Sequence, residues 1–174
     1  EELIQIAASL TGDPAAVVTA MHGGLGVCAE GPEALLYRSI EIMPLRVVVA
    51  LPLLPDYQPR LRDALPRQAP LRDAVHNIGH ATLLIEALRS GDFRLLRHAV
   101  VDRLHEPYRR HFIPGYDAVV AAAEEAGAVA VTLCGAGPAL VAFATFNHQS
   151  IESAMHGAFR SVGVEARTWS LGVD

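Results

Sequence analysis

Apolar and polar positions follow two periods along this chain, and the changes of period mark its elements. The segment from Leu3 to Leu10 carries apolar residues at helical spacing, so a first helix is expected over residues 3–10. Gly12-Asp13-Pro14 breaks it. Asp13 is placed to cap a second helix, with Pro14 at its first position. His22-Gly23-Gly24 ends that helix after about Met21. Two apolar runs, Leu25–Ala29 and Ala34–Ile42, are joined by Glu30-Gly31-Pro32-Glu33 and predict a β-hairpin. Met43-Pro44 marks a boundary.

Beyond it the pattern changes. Leu45–Leu53 is a continuous Val-rich run, as in a strand buried on both faces. A Pro-rich crossing, Pro55 to Pro70, holds Arg60 and Arg62. Leu71–Arg89 places Val75, Ile78, Leu83, Ile85 and Leu88 at helical intervals. Ser90-Gly91-Asp92 interrupts it before a further helix, Phe93 to about Leu104. Residues 105–115 hold Pro107 and Pro114 and are expected to be irregular. Tyr116–Ala126 is an Ala-rich helix stopped by Gly127, and Val129–Leu133 and Leu140–Thr145 read as strands. Ser150–Val162 is a helix closed by Gly163, and Glu165–Leu171 alternates as a last strand. From residue 45 the order is strand, helices, strand, strand, helix, strand. That is the split βαβ, ferredoxin-like plan of an α+β domain: a four-stranded antiparallel sheet with helices on one face.

Residues 1–44 offer two helices and a hairpin, thin material for an independent core. Glu1-Glu2-Leu3-Ile4 reads as the inside of a helix without an N-cap. The expectation is that an upstream region belongs before it, and that residues 1–44 are the tail of that preceding domain.

Composition narrows the classes. Hydrophobic residues make up 51% and charged residues 19% of the 174, enough apolar material for a sizeable core. A net charge of −5 carries no basic footprint for nucleic acid. The longest apolar run, Val47–Leu54, is too short to span a membrane and is broken by Pro52. Two distant cysteines, Cys28 and Cys134, give neither zinc spacing nor a disulfide framework, which suits a reducing cytoplasm.

Two clusters carry candidate chemistry. Thr132-Leu133-Cys134-Gly135-Ala136-Gly137-Pro138 lies between two strands. Its glycines permit positive φ and close backbone approach, so amides can face an anion; a plain tight hairpin turn is the other reading. Asp102-Arg103-Leu104-His105-Glu106-Pro107-Tyr108-Arg109, followed by Ile113-Pro114-Gly115-Tyr116, packs titratable groups between helices. Arg109 suits a substrate carboxylate, and His105 suits a hydrogen bond to substrate or a base role. Arg62 can supply a second guanidinium. His76, His80, His98 and His111 read as surface or core-edge residues, and Cys134 as a small buried residue at a strand end.

Taken together and in order, these segments resemble the homoserine kinase branch of the GHMP small-molecule kinases. Val131 to Pro138 is similar to the third GHMP motif, and Asp102–Arg109 with Ile113–Tyr116 to the segment before it. Leu71-Arg-Asp-Ala-Val-His-Asn77, Ser90-Gly-Asp92 and His22-Gly-Gly24 fall where that family has a helix start, a helix break and a Gly-Gly pair. The resemblance implies a 1–44 remnant of the N-terminal GHMP domain and a C-terminal GHMP domain over 45–174. It implies ATP-dependent phosphorylation of the homoserine hydroxyl, towards threonine, with ATP and Mg²⁺ in the full-length parent and neither held tightly by this stretch alone. A cytoplasmic setting and a homodimer are implied as well. Arg62 and Arg109 hold the substrate carboxylate on this view, beside His105, and Thr132, Gly135, Ala136 and Gly137 form the glycine loop.

Four positions depart from the family. Ser9 stands where a magnesium-binding Glu is expected, and Ala15-Ala16 where an Asp-Asn pair is expected. His80 replaces an Arg. Asp13 or Glu2 compensates, or the parent is a divergent member. Two other readings remain at this point: a non-catalytic metabolite-binding regulator of the same fold, and a free-standing amino-acid-binding module of ferredoxin-like topology.

Overall fold

A computed structural model describes residues 2–31, 35–55, 57 and 64–173. Arg60 and Arg62 lie outside the described residues.

Two helices open the chain, α1 (Glu2–Thr11) and α2 (Pro14–His22). The Asp13 carboxylate accepts from the Ala16 amide at 3.0 Å, so Asp13 caps α2 with Pro14 inside its first turn. Strands β1 (Leu25–Glu30) and β2 (Leu35–Ile40) pair antiparallel as a two-stranded sheet. Ile4, Val17 and Val18 form a small cluster with Ala7, Cys28, Leu35 and Tyr37.

The larger sheet has the order β4-β5-β3-β6 and every pairing is antiparallel. Its strands are β3 (Leu45–Pro52), β4 (Ala130–Leu133), β5 (Leu140–Ala144) and β6 (Ala166–Val173). β3 is flanked on both edges, which is why its apolar run is continuous rather than alternating. Between β3 and β4 come α3 (Leu71–Ser90), α4 (Phe93–Ala99), the short α5 (Glu106–Arg109), a 3₁₀ turn over Arg110–Phe112, and α6 (Tyr116–Glu125). Helix α7 (His148–Ser161) joins β5 to β6.

Both helices of the split βαβ plan lie on one face. Tyr116, Val119 and Ala123 of α6, and Ile151, Met155 and Phe159 of α7, pack on Val48, Ala50, Val131, Leu133, Leu140 and Ala142. Spacings of three and four residues put each trio on one helical stripe. The helical cover is not confined to that face, however. Ala87 and Leu88 of α3 and Leu96 of α4 cluster with Leu45, Val47 and Ala130, against Val49, Val141 and Phe143 of the opposite pleat.

Three sequence expectations change. The helix begun at Phe93 ends at Ala99, not Leu104, because the Asp102 carboxylate turns the chain and caps the next segment. The irregular stretch after His105 contains α5 and the 3₁₀ turn. The first half of α3 does not bury its apolar stripe: Val75 is 61% and Ile78 70% exposed, and only Ala87 and Leu88 of that helix are buried.

Candidate substrate and phosphate site

The site is assembled around α5. Asp102 sits four residues before the start of that helix and turns its carboxylate back onto it. One oxygen accepts from the amides of His105 at 2.8 Å and Glu106 at 2.6 Å. The other accepts from the Leu104 amide at 3.2 Å and from the side-chain amide of Asn77 on α3. Asn77 also accepts from the Arg103 amide at 2.9 Å. Burial disfavours the Asp102 charge, but these donors outweigh it and hold the carboxyl below its ordinary range.

Glu106, in the first turn of α5, reaches the sheet. One carboxylate oxygen accepts from the Tyr116 hydroxyl at 2.7 Å. The other accepts from the Thr132 hydroxyl at 2.5 Å and the Leu133 amide at 3.1 Å. Burial, then the bond to Glu106, pushes the Tyr116 hydroxyl far above its usual value.

The glycine loop follows at once. Cys134 donates to Ala139 at 2.8 Å and Gly137 to Cys134 at 3.0 Å, closing the turn between β4 and β5. Gly135 and Gly137 hold φ of +58° and +79°, values that favour glycine. Among the described residues, the amides of Gly135 and Ala136 have no internal acceptor. Tyr57, 2% exposed, donates its hydroxyl to the Ala136 carbonyl at 2.9 Å. A Cβ on Gly137 would lie 2.5 Å from that hydroxyl oxygen.

His105, Thr132 and Gly135 line one cleft of about 260 Å³ with Asn77, His80 and Asp102 on its polar side and Leu84 and Phe143 among its apolar walls. The His105 ring has one nitrogen 3.8 Å from Asp102 and the other buried without a partner among the described residues. Arg109, one turn after Glu106, does not line that cleft. Its Nε is buried without a partner among the described residues. Burial raises the Tyr57 hydroxyl, and the Arg109 charge pulls it down.

Of the predicted site residues, His105, Thr132 and Gly135 line one cleft, Ala136 and Gly137 continue the loop, and Arg109 lies outside that cleft on the helix that Glu106 ties to β4; Arg62 is outside the described residues. Cys134 is exposed rather than buried at the strand end, because the chain turns away from the sheet there. His80 is half-buried, in keeping with a core-edge residue: its ring stacks on His76 with centroids 3.6 Å apart and borders the cleft. Glu106, Asn77 and Tyr57 were missed as site residues. Glu106 opening a helix at Glu-Pro was visible, but its partners lie up to 27 residues away. A roomier groove, about 620 Å³ beside Leu53, Arg160 and Arg167, is bordered by none of these residues.

Comparison with known proteins adds a second line. Residues 84–161 match the family of GHMP kinases, C terminal. The match holds the last residues of α3, all of α5, the glycine loop and α7. The chain is 41% identical over 171 residues to a homoserine kinase of Moorella thermoacetica, covering 98% of this chain and 58% of that protein. It is 38% identical to a homoserine kinase of Thermus thermophilus, covering 99% and 58%. The crystal structure of homoserine kinase from Cytophaga hutchinsonii superposes with a TM-score of 0.83 at 26% identity, over 90% of this chain and 50% of that one. The L. major mevalonate kinase structure, at 17% identity and a TM-score of 0.70, shares the fold. The chain spans rather more than half the length of the curated relatives it matches. Glu106 bonds the short helix that carries Arg109 to Thr132 and Leu133 of β4, just before the glycine loop.

Proposed function

We propose that this chain is the C-terminal part of an ATP-dependent kinase that phosphorylates the hydroxyl of homoserine. The carrying observation is that Arg109, whose Nε is buried without a partner among the described residues, shares a four-residue helix with the carboxylate that bonds Thr132 and Leu133 beside the glycine loop. An unpaired buried guanidinium is costly unless a ligand anion meets it. A carboxylate of an amino-acid substrate suits Arg109, with Arg62 as its second clamp. The free amides of Gly135 and Ala136 suit phosphate oxygens. On this reading residues 1–44 are the tail of the N-terminal GHMP domain and 45–174 the C-terminal domain, the protein is cytoplasmic, and it pairs as a homodimer.

ATP supplies the phosphoryl group and Mg²⁺ neutralises its charge. The loop fits the first. Among the described residues no group of three His, Cys, Asp or Glu side chains is placed to hold a metal ion by itself. The Ser9 hydroxyl donates back to Ile6 at 2.7 Å, and the Asp13 carboxylate is engaged as a helix cap. The Ser9 and Asp13 engagements, with Ala15 and Ala16, favour the second reading, a non-catalytic amino-acid- or metabolite-binding regulator of the same fold.

The full-length gene product, incubated with ATP, Mg²⁺ and homoserine, separates the two. ADP release dependent on homoserine, reduced at least ~100-fold in kcat/KM by Arg109→Ala, supports the kinase. Homoserine binding without turnover supports the regulator.

A further inference from the structure

We infer that Glu106 is a positioning residue that locks the glycine loop to the helix carrying Arg109. The inference rests on the kinase reading for its kinetic arm but not for its structural arm.

β4 is an edge strand. The outer N–H of such a strand has no neighbouring strand to receive it, and at Leu133 the receiver is Glu106. The same oxygen takes the Thr132 hydroxyl, and the other takes Tyr116. One carboxylate therefore joins three elements at the residue immediately before the loop. Its own amide is gripped by Asp102, which Asn77 ties to α3. Arg109 is three residues on in the same helix, so it cannot shift without dragging Glu106. Tyr57 pins the far side of the loop through Ala136. The lock also sets a polarity: the Thr132 hydroxyl gives its proton to Glu106, so towards the cleft it borders it can only accept.

The alternative is that Glu106 merely satisfies an open sheet edge. The two differ in what the loop does when the carboxylate changes. The test uses the full-length gene product carrying E106Q, E106D, T132V, T132S and the E106Q/T132V pair. Amide exchange is followed at residues 133–137, with kcat and KM for ATP and homoserine.

Expected are faster exchange at Gly135 and Ala136 in E106Q and in the milder T132V, and near-normal exchange in T132S. In kinetics E106Q lowers kcat roughly tenfold or more and raises KM for homoserine. E106D, one methylene too short to span helix and strand, does not restore either. The double variant is no worse than the poorer single one, because both remove the same bond. Unchanged exchange at the loop in both E106Q and T132V overturns the inference, as do penalties that simply multiply. If the unmodified protein does not phosphorylate homoserine, the kinase reading fails, and the exchange arm still decides the role of Glu106.

Discussion

Asp102 receives four donors, and it shows how one ionised side chain shapes this region. Its folded pKa is lower than in an unfolded chain, so folding favours the charged form. The stability it contributes is present above the unfolded value, ~3.9, and is lost as pH falls through the lower folded value. D102N keeps the shape but not the charge. It should lower stability near neutral pH by about 1–2 kcal/mol and flatten the acid limb below about pH 4. Urea unfolding at pH 7 and pH 3 checks both; an acid limb as steep as that of the unmodified chain would count against the assignment. Gly137 makes a second residue-scale case. Its φ of +79° and the 2.5 Å approach to Tyr57 both exclude a side chain. Gly137→Ala should cost about 2 kcal/mol, and part of that should return in G137A/Y57F, where the hydroxyl is gone. The glycine was legible from the sequence, since it punctuates two strands. Its dependence on Tyr57, 80 residues earlier, was not, because nothing local marks which side chain a loop will meet.

Elements with their own stop and start signals were readable almost to the residue. Asp13-Pro14 opens α2, Gly91 takes the left-handed turn after α3, and the Asp92 carboxylate caps α4 at 3.0 Å from two amides. These are short-range interactions written in consecutive residues. The stretch from Val100 to Phe112 was misread because its capping carboxylate is held from α3, 25 residues away. Helix α3 carries a different lesson: periodicity announces an apolar stripe but not what covers it. Val75 and Ile78 are exposed, whereas Phe159 of α7 is completely buried. Replacing Val75 and Ile78 together by Gln should therefore change the stability of this chain by no more than about 0.5 kcal/mol. Phe159→Ala should cost about 3–5 kcal/mol. A comparable loss from the α3 pair would mean that this stripe is buried in solution.

At the scale of the molecule, the sheet order β4-β5-β3-β6 brings together residues that the sequence keeps apart. The outer edge of β4 meets α5, and the turn after β4 meets Tyr57, five residues beyond the end of β3. The strand and helix order predicted this sheet, because antiparallel pairing with one crossover admits few arrangements. The same order could not supply a metal ligand set, and the first two helices help little: Ser9 bonds to its own turn and Asp13 to the start of α2. Phosphoryl transfer is mainly charge neutralisation and positioning. A chain with the anion loop and carboxylate clamp proposed above, spanning 58% of a relative such as the Moorella homoserine kinase, should bind better than it transfers. The purified 174-residue chain should accordingly give homoserine-dependent ADP release at least ~10³-fold slower than the full-length gene product. Homoserine should still protect the Arg109 region from amide exchange, and R109A should abolish that protection. Equal turnover by the two proteins would place the nucleotide and metal site within residues 1–174. The glycine loop would then have to carry far more of the reaction than two free amides supply.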